Sequence, residues 1–131
     1  MDGYQSIKIG LAGICVWVSM QLGGIDQLLT VLIALACADY VTGVMNAIAT
    51  RTPSSKIGAK GIFRKITMFI MVALCVLLDR QFLESGNTLR TTILLFYISN
   101  EGISFLENAS LLGLPVPQKI RDLLLQIHDK H

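Results

Sequence analysis

Charge is scarce in this 131-residue chain: Lys, Arg, Asp and Glu together make up 15% of it, against roughly 25% in soluble domains. Their place is taken by apolar side chains, 53% of the total, and the mean hydropathy is +0.61. A domain this small has too little interior to hide that much hydrocarbon, which excludes an ordinary soluble monomer. The net charge is only +2, and no concentrated basic face is present of the kind a nucleic-acid module needs, so no nucleic-acid partner is expected. Nine aromatic residues spread along the chain also exclude a disordered segment. One compact membrane domain, residues 1–131, remains.

Groups that do chemistry are equally sparse. The three cysteines, Cys15, Cys37 and Cys75, lie far apart within apolar runs, a spacing that suits neither a zinc site nor a disulfide framework, and they read as small apolar packing residues. The two histidines, His128 and His131, fall in the terminal tail and read as solvated. Gly58-Ala59-Lys60-Gly61 lacks the spacing of a phosphate loop. Ser54 and Ser55, after Pro53, read as helix caps or turn residues rather than nucleophiles, because no His or Lys partner is positioned by sequence. No enzyme, cofactor or metal site is expected. A secretory signal ending at Ala34-Leu35-Ala36 fits poorly, since Lys8 is the one base before it and apolar sequence runs on beyond it.

A bilayer core takes about 20 helical apolar residues to cross, and four windows approach that length. Residues 9–25 are uncharged, and residues 28–50 carry only Asp39. Residues 66–78 are uncharged and become a span, 63–83, if flanking bases snorkel to the interface. Residues 91–112 are apolar apart from Glu101 and Glu107 and stop at Gly113-Leu114-Pro115. Turns are expected at Gly23 to Gln27 and at Glu84 to Thr88. Beyond Pro115, apolar residues Val116, Ile120, Leu123, Leu124 and Ile127 recur at helical spacing, so residues 116–131 read as an amphipathic cytoplasmic tail opened by Pro117. The fold class is therefore all-α, with four transmembrane helices and a short C-terminal amphipathic helix.

Four spans put the amino terminus, the middle loop and the tail on one side, with nine of the eleven bases. Five of these, Arg51, Lys56, Lys60, Arg64 and Lys65, form an expected basic loop, and the positive-inside rule places it and both termini in the cytoplasm. Only Arg80 and Arg90 face the other way. A three-span arrangement would separate Lys8 from the tail and weaken this asymmetry.

The carboxylates inside the spans are the informative residues. Asp39 lies 11 residues before Thr50 and Glu101 lies 10 after Thr91, so each sits about 16 Å deep, near the bilayer midplane. Each costs on the order of 3 kcal/mol if it faces lipid, so both are expected to face the bundle, a partner subunit or water. With no base expected at that depth, protonation, hydrogen bonding or hydration would have to accommodate them. On a helical wheel Tyr97, Asn100, Glu101, Ser104, Glu107 and Asn108 fall in one arc of about 120°, opposite Leu95, Ile98, Phe105 and Leu106. In the second span Asp39, Gly43, Asn46 and Ala47 share a face, and Ala34, Ala38 and Thr42 form a ladder of small residues, both suited to close helix packing and assembly. Two readings of these polar residues stay open: glue within one bundle, or a face that meets water or other subunits.

These residues also carry a resemblance. Ala38-Asp39-Tyr40-Val41-Thr42-Gly43, Ser54-Ser55-Lys56 with Gly58, Gly61 and Lys65, Leu77-Leu78-Asp79, Asn100-Glu101-Gly102-Ile103-Ser104, Glu107-Asn108, Gly113 and Pro115-Val116-Pro117 follow one another in order. Over roughly Ala38 to Leu124 the chain resembles the phage lysis and toxin-secretion holins. That resemblance implies a homo-oligomer in the bacterial cytoplasmic membrane, opening lesions through which an endolysin or a large toxin leaves, with no direct contact to that cargo required. It implies accumulation as mobile oligomers and then abrupt conversion to a wide lesion. The tail here is briefer and less basic than such holins often carry. A small proton-coupled transporter and a structural subunit of a membrane complex are the rival classes. The best-known small transporters of four spans hold their carboxylate in the first helix, and residues 9–25 have none.

Overall fold

A computed structural model describes residues 2–83 and 86–130. Among them are five α-helices and no strand: α1 (Gly3–Gln21), α2 (Gln27–Ala49), α3 (Ser55–Phe82), α4 (Thr88–Leu111) and α5 (Gln118–Lys130). Within the expected turn at Glu84 to Thr88, Glu84 and Ser85 lie outside the described residues, as does His131.

Local chemistry sets most helix ends. Asp2, Asp26 and Ser54 each accept the backbone N–H three residues on, at Gln5, Leu29 and Ile57, and so open α1, α2 and α3. The α1–α2 turn uses Gly23 and Gly24 at φ +86° and +93°, and α4 stops at Gly113, φ +91°. Asn87 makes no side-chain cap on α4. Asp79, one turn from the end of α3, takes that role, accepting the N–H groups of Leu89 and Arg90 at 3.0 and 2.9 Å.

The expected basic loop is corrected here. Only Arg51 lies in the connection between α2 and α3, at φ 58°, whereas Lys56, Lys60, Arg64 and Lys65 ride on the first three turns of α3. Counting from the uncharged run placed the span at residue 63, but the Pro53-Ser54 cap starts the helix eight residues earlier. A helix tolerates lysine and arginine well, so charge alone does not end it.

α4 is the central element, packing on α2, α3 and α5. Asp26 meets Arg90 near the starts of α2 and α4, and Asn46 meets Asn108 near their ends, so these two helices run parallel, with α3 antiparallel to them. Leu22, Leu29, Leu32, Ala36, Met68, Val72, Leu94 and Ile98 form the core. α1 buries none of its residues and, among the described helices, packs only on α3.

Much of the outer surface is apolar as well. Ile7, Leu11, Ile14 and Trp17 of α1, and Ile66, Ile70, Leu74 and Leu77 of α3, are all exposed. Cys15 and Cys37 are exposed too and Cys75 is half-buried, which corrects their reading as packing residues. Apolarity places a residue away from water, and in such a chain the outer surface satisfies that as well as the core.

Gly23 is the tightest point of the α1–α2 turn: a Cβ there would come within 2.5 Å of Arg90 Nε. Gly23→Ala is expected to destabilise the protein by about 2 kcal/mol or more, since left-handed strain of 1–2 kcal/mol adds to the displacement of Arg90. Gly24 has a similar φ with nothing within 4 Å, so Gly24→Ala should lose only the strain. Thermal melts in detergent check the order, and equal losses would show that Arg90 gives way freely.

Candidate functional site

Three charged side chains meet inside the bundle. Asp39 lies ten residues before the end of α2, Lys65 ten after the start of α3, and Glu101 ten before the end of α4. Because α3 is antiparallel to the other two, all three stand about 15 Å from the same end of the bundle. Lys65 Nζ is 2.8 Å from Asp39 Oδ2 and 2.5 Å from Glu101 Oε2. Each side chain is under one-fifth exposed, at 18% for Lys65, 14% for Asp39 and 13% for Glu101. One ammonium therefore neutralises half of a pair of carboxylates, and the cluster carries a formal charge of minus one.

This arrangement overturns the expectation that no base reaches the depth of Asp39 and Glu101. Lys65 does, because α3 begins at Ser55 and runs for 28 residues. The signal was present in the cap at Ser54, from which Lys65 can be counted as the eleventh residue in.

A polar network extends from the triad. Asn108 donates through Nδ2 to the backbone oxygen and Oδ1 of Asp39, both at 3.0 Å, and lies 3.1 Å from Thr42 Oγ1. Asn46 Nδ2 donates to the Asn108 carbonyl at 3.2 Å, and an added Cβ at Gly43 would stand 3.7 Å from Asn108 Nδ2. Thus Asp39, Gly43 and Asn46 meet α4 of the same chain. Ala47 borders the cavity described next. Tyr40, also on α2, reaches α3, where its hydroxyl donates to the Gly58 carbonyl at 3.3 Å and its ring lies over Gly61.

Beside the triad is a cavity of about 1700 Å³ bordered by α2, α3, α4 and α5. Tyr97, Asn100, Glu101, Ser104, Glu107 and Asn108 all line it. Glu107 is exposed and the other five are half-buried, while Ile98 and Leu106, on the other side of α4, are buried in the bundle. Lys60, Arg64 and Lys65 line the same space from α3, whereas Arg51 and Lys56 do not.

A second polar cluster closes the opposite end of the bundle. Arg90, 2% exposed, donates through Nε to the Leu22 carbonyl at 2.7 Å and through Nη2 to the Gly24 carbonyl at 3.0 Å. It also pairs with Asp26, Nη1 to Oδ2 at 2.6 Å. Hydrogen bonding to this guanidinium holds the Asp26 carboxyl below the usual carboxylate range. Arg80 adds a bond to the Met20 carbonyl at 3.0 Å. From the sequence alone Arg90 is only a base on the outer side. The clue was its place in the first turn of a helix, where a cation opposes the helix dipole and calls for acidic partners.

His128 is also placed differently from its expected solvated tail. Its ring stacks on Phe96 with centroids 5.4 Å apart, and Nδ1 lies 3.3 Å from Ser99 Oγ.

Residues 16–129 match the model of the bacteriophage holin family. The chain belongs to that family. Among its relatives is the uncharacterized 14.9 kDa protein in the nagH 3′ region of Clostridium perfringens, 37% identical over 125 residues, covering 95% of this chain and 94% of the relative. An uncharacterized protein of Listeria innocua is 37% identical over 91% of this chain and 84% of its own length. Another, from Halalkalibacterium halodurans, is 37% identical over 90% of each chain. No solved structure matches. No enzymatic family is indicated for this holin-family chain. Its α2 and α3 are long and apolar enough to cross a membrane, in keeping with a membrane protein.

Proposed function

We propose that this holin-family protein is a non-enzymatic pore former of the bacterial cytoplasmic membrane. It crosses four times, through α1 to α4, with both termini cytoplasmic, assembles with copies of itself, and opens lesions that release an endolysin or a large toxin. The observation that carries this reading is the charged triad beside a large cavity into which the polar arc of α4 faces, held by helices with many exposed apolar residues. A structural bundle has no need of a charged cluster buried ten residues inside its helices, because each buried charge is expensive to keep. A pore former does need polar groups, which the closed bundle satisfies internally and the open assembly presents to water. In this reading the polar arc of α4 lines the opening, while the α2 face from Asp39 to Ala47 holds α4 in place.

Two measurements test it. Reporter fusions at Gly86 and at the carboxyl end should report opposite sides of the membrane, and a shared side would sink the four-span topology. Cysteines introduced as Ser104→Cys and Asn100→Cys, in a background lacking Cys15, Cys37 and Cys75, should react with a membrane-impermeant thiol reagent only after the membrane becomes permeable. Ile98→Cys should stay protected throughout. Equal labelling of both faces would leave the polar residues as glue, and solute uptake driven by a proton gradient without release of macromolecules would favour a transporter.

A further inference from the structure

α5 carries Lys119, Arg121, Asp122 and Asp129 along one amphipathic helix, yet it doubles back along α4. Leu124 sits over Gly102, where a Cβ would come within 2.9 Å of Leu124 Cδ2. One turn further, His128 lies on Phe96 and beside Ser99. Ser99 is twelve residues from the end of α4 at Leu111, about 18 Å along the helix. If α4 spans the bilayer, α5 therefore carries charged residues to the depth of the hydrocarbon.

An isolated helix of this kind rests at the membrane surface, where its apolar face meets acyl chains and its charges meet water. Here it has a second resting place, made possible by two features. The missing side chain at Gly102 leaves a notch that Leu124 fills, and the cavity beside the triad, to which Leu125 and His128 contribute, offers an alternative to lipid. The small residues Ser99 and Gly102 would let another helix approach α4 closely if α5 were gone. α5 is what occupies that face.

We propose that α5 is a removable strap: seated on the Ser99 and Gly102 face of α4, it borders the cavity beside the triad and denies that face to a second copy, and it must leave before the pore opens. This rests on the pore-forming reading above and names its regulation.

The test uses the full-length chain with Cys15, Cys37 and Cys75 replaced by alanine and the pair Gly102→Cys with Leu124→Cys added. A second pair, Ser99→Cys with His128→Cys, guards against a defect peculiar to one site. Oxidation in membranes should cross-link both pairs within the monomer and delay permeabilisation at least about tenfold, with a reductant restoring the original onset, because a locked strap removes the open state from the equilibrium. Leu124→Asp, which opposes seating, should bring the onset forward by roughly twofold or more at equal protein level. Pairs that do not cross-link show that α5 is not seated there, and cross-linked protein that opens on time shows that it need not leave; either result overturns the strap. An unaltered chain that never permeabilises membranes overturns the pore reading instead.

Discussion

Lys65→Met is expected to destabilise the protein by about 3–5 kcal/mol and to abolish membrane permeabilisation. The side chain of Lys65 is the shared partner of Asp39 and Glu101, so its loss leaves two carboxylates facing each other in a poorly solvated place. Breaking a buried ion pair from one side is far more damaging than removing it whole. The loss should therefore be recovered largely, in stability, by adding Asp39→Asn and Glu101→Gln, which take away the charges that need an ammonium. Thermal melting in detergent of the single and triple variants reads the stability, and dye release from vesicles reads the function. If the triple variant is as unstable as the single one, the damage comes from lost packing of the lysine stem and not from stranded charge. If the triple variant is stable and still releases dye, the triad holds the fold without serving the pore.

The second large effect belongs to the other end of the bundle. Arg90→Met should cost about 3 kcal/mol, because it strands the Leu22 and Gly24 carbonyls and unties the α1–α2 turn from α4. Limited proteolysis should then cut between Leu22 and Asp26 faster than in the unaltered protein. No change in melting or cleavage would mean that water replaces the guanidinium without loss.

A pH dependence accompanies this clasp. The Asp26 carboxyl is held below its ordinary range by Arg90, so its contribution is fully present above about pH 4 and fades as the pH falls through the depressed value. Asp26 is 49% exposed, and solvent screening limits the effect to under about 1 kcal/mol. The unaltered protein should lose stability more steeply below pH 4 than Asp26→Asn does, and the difference should shrink in the Arg90→Met background, where the Leu29 N–H cap still favours the carboxylate.

The helices themselves were legible because their signals are local. Asp26 before an apolar run, Gly23-Gly24 at a turn, Gly113 after Leu112 and Pro117 at a helix start each act on a neighbouring few residues. The same holds for the polar arc of α4, since a wheel needs only one helix and its period. The excess of apolar surface over any core that 131 residues can build is a matter of composition alone.

What faces what depended on the tertiary structure. Lys65 looked like one of a group of interfacial bases, and its pairing with Asp39 and Glu101, 26 and 36 residues away, appears only when α3 is laid antiparallel to α2 and α4. Arg90 and the carbonyls of Leu22 and Gly24 are brought together over more than 60 residues of chain. Charge patterns along a chain report cost, which is local, whereas the partner that offsets the cost is a property of packing. The same division explains α5: its amphipathic period is set by residues three and four apart, but the notch that seats Leu124 exists only because Gly102 stands at that point on the neighbouring helix.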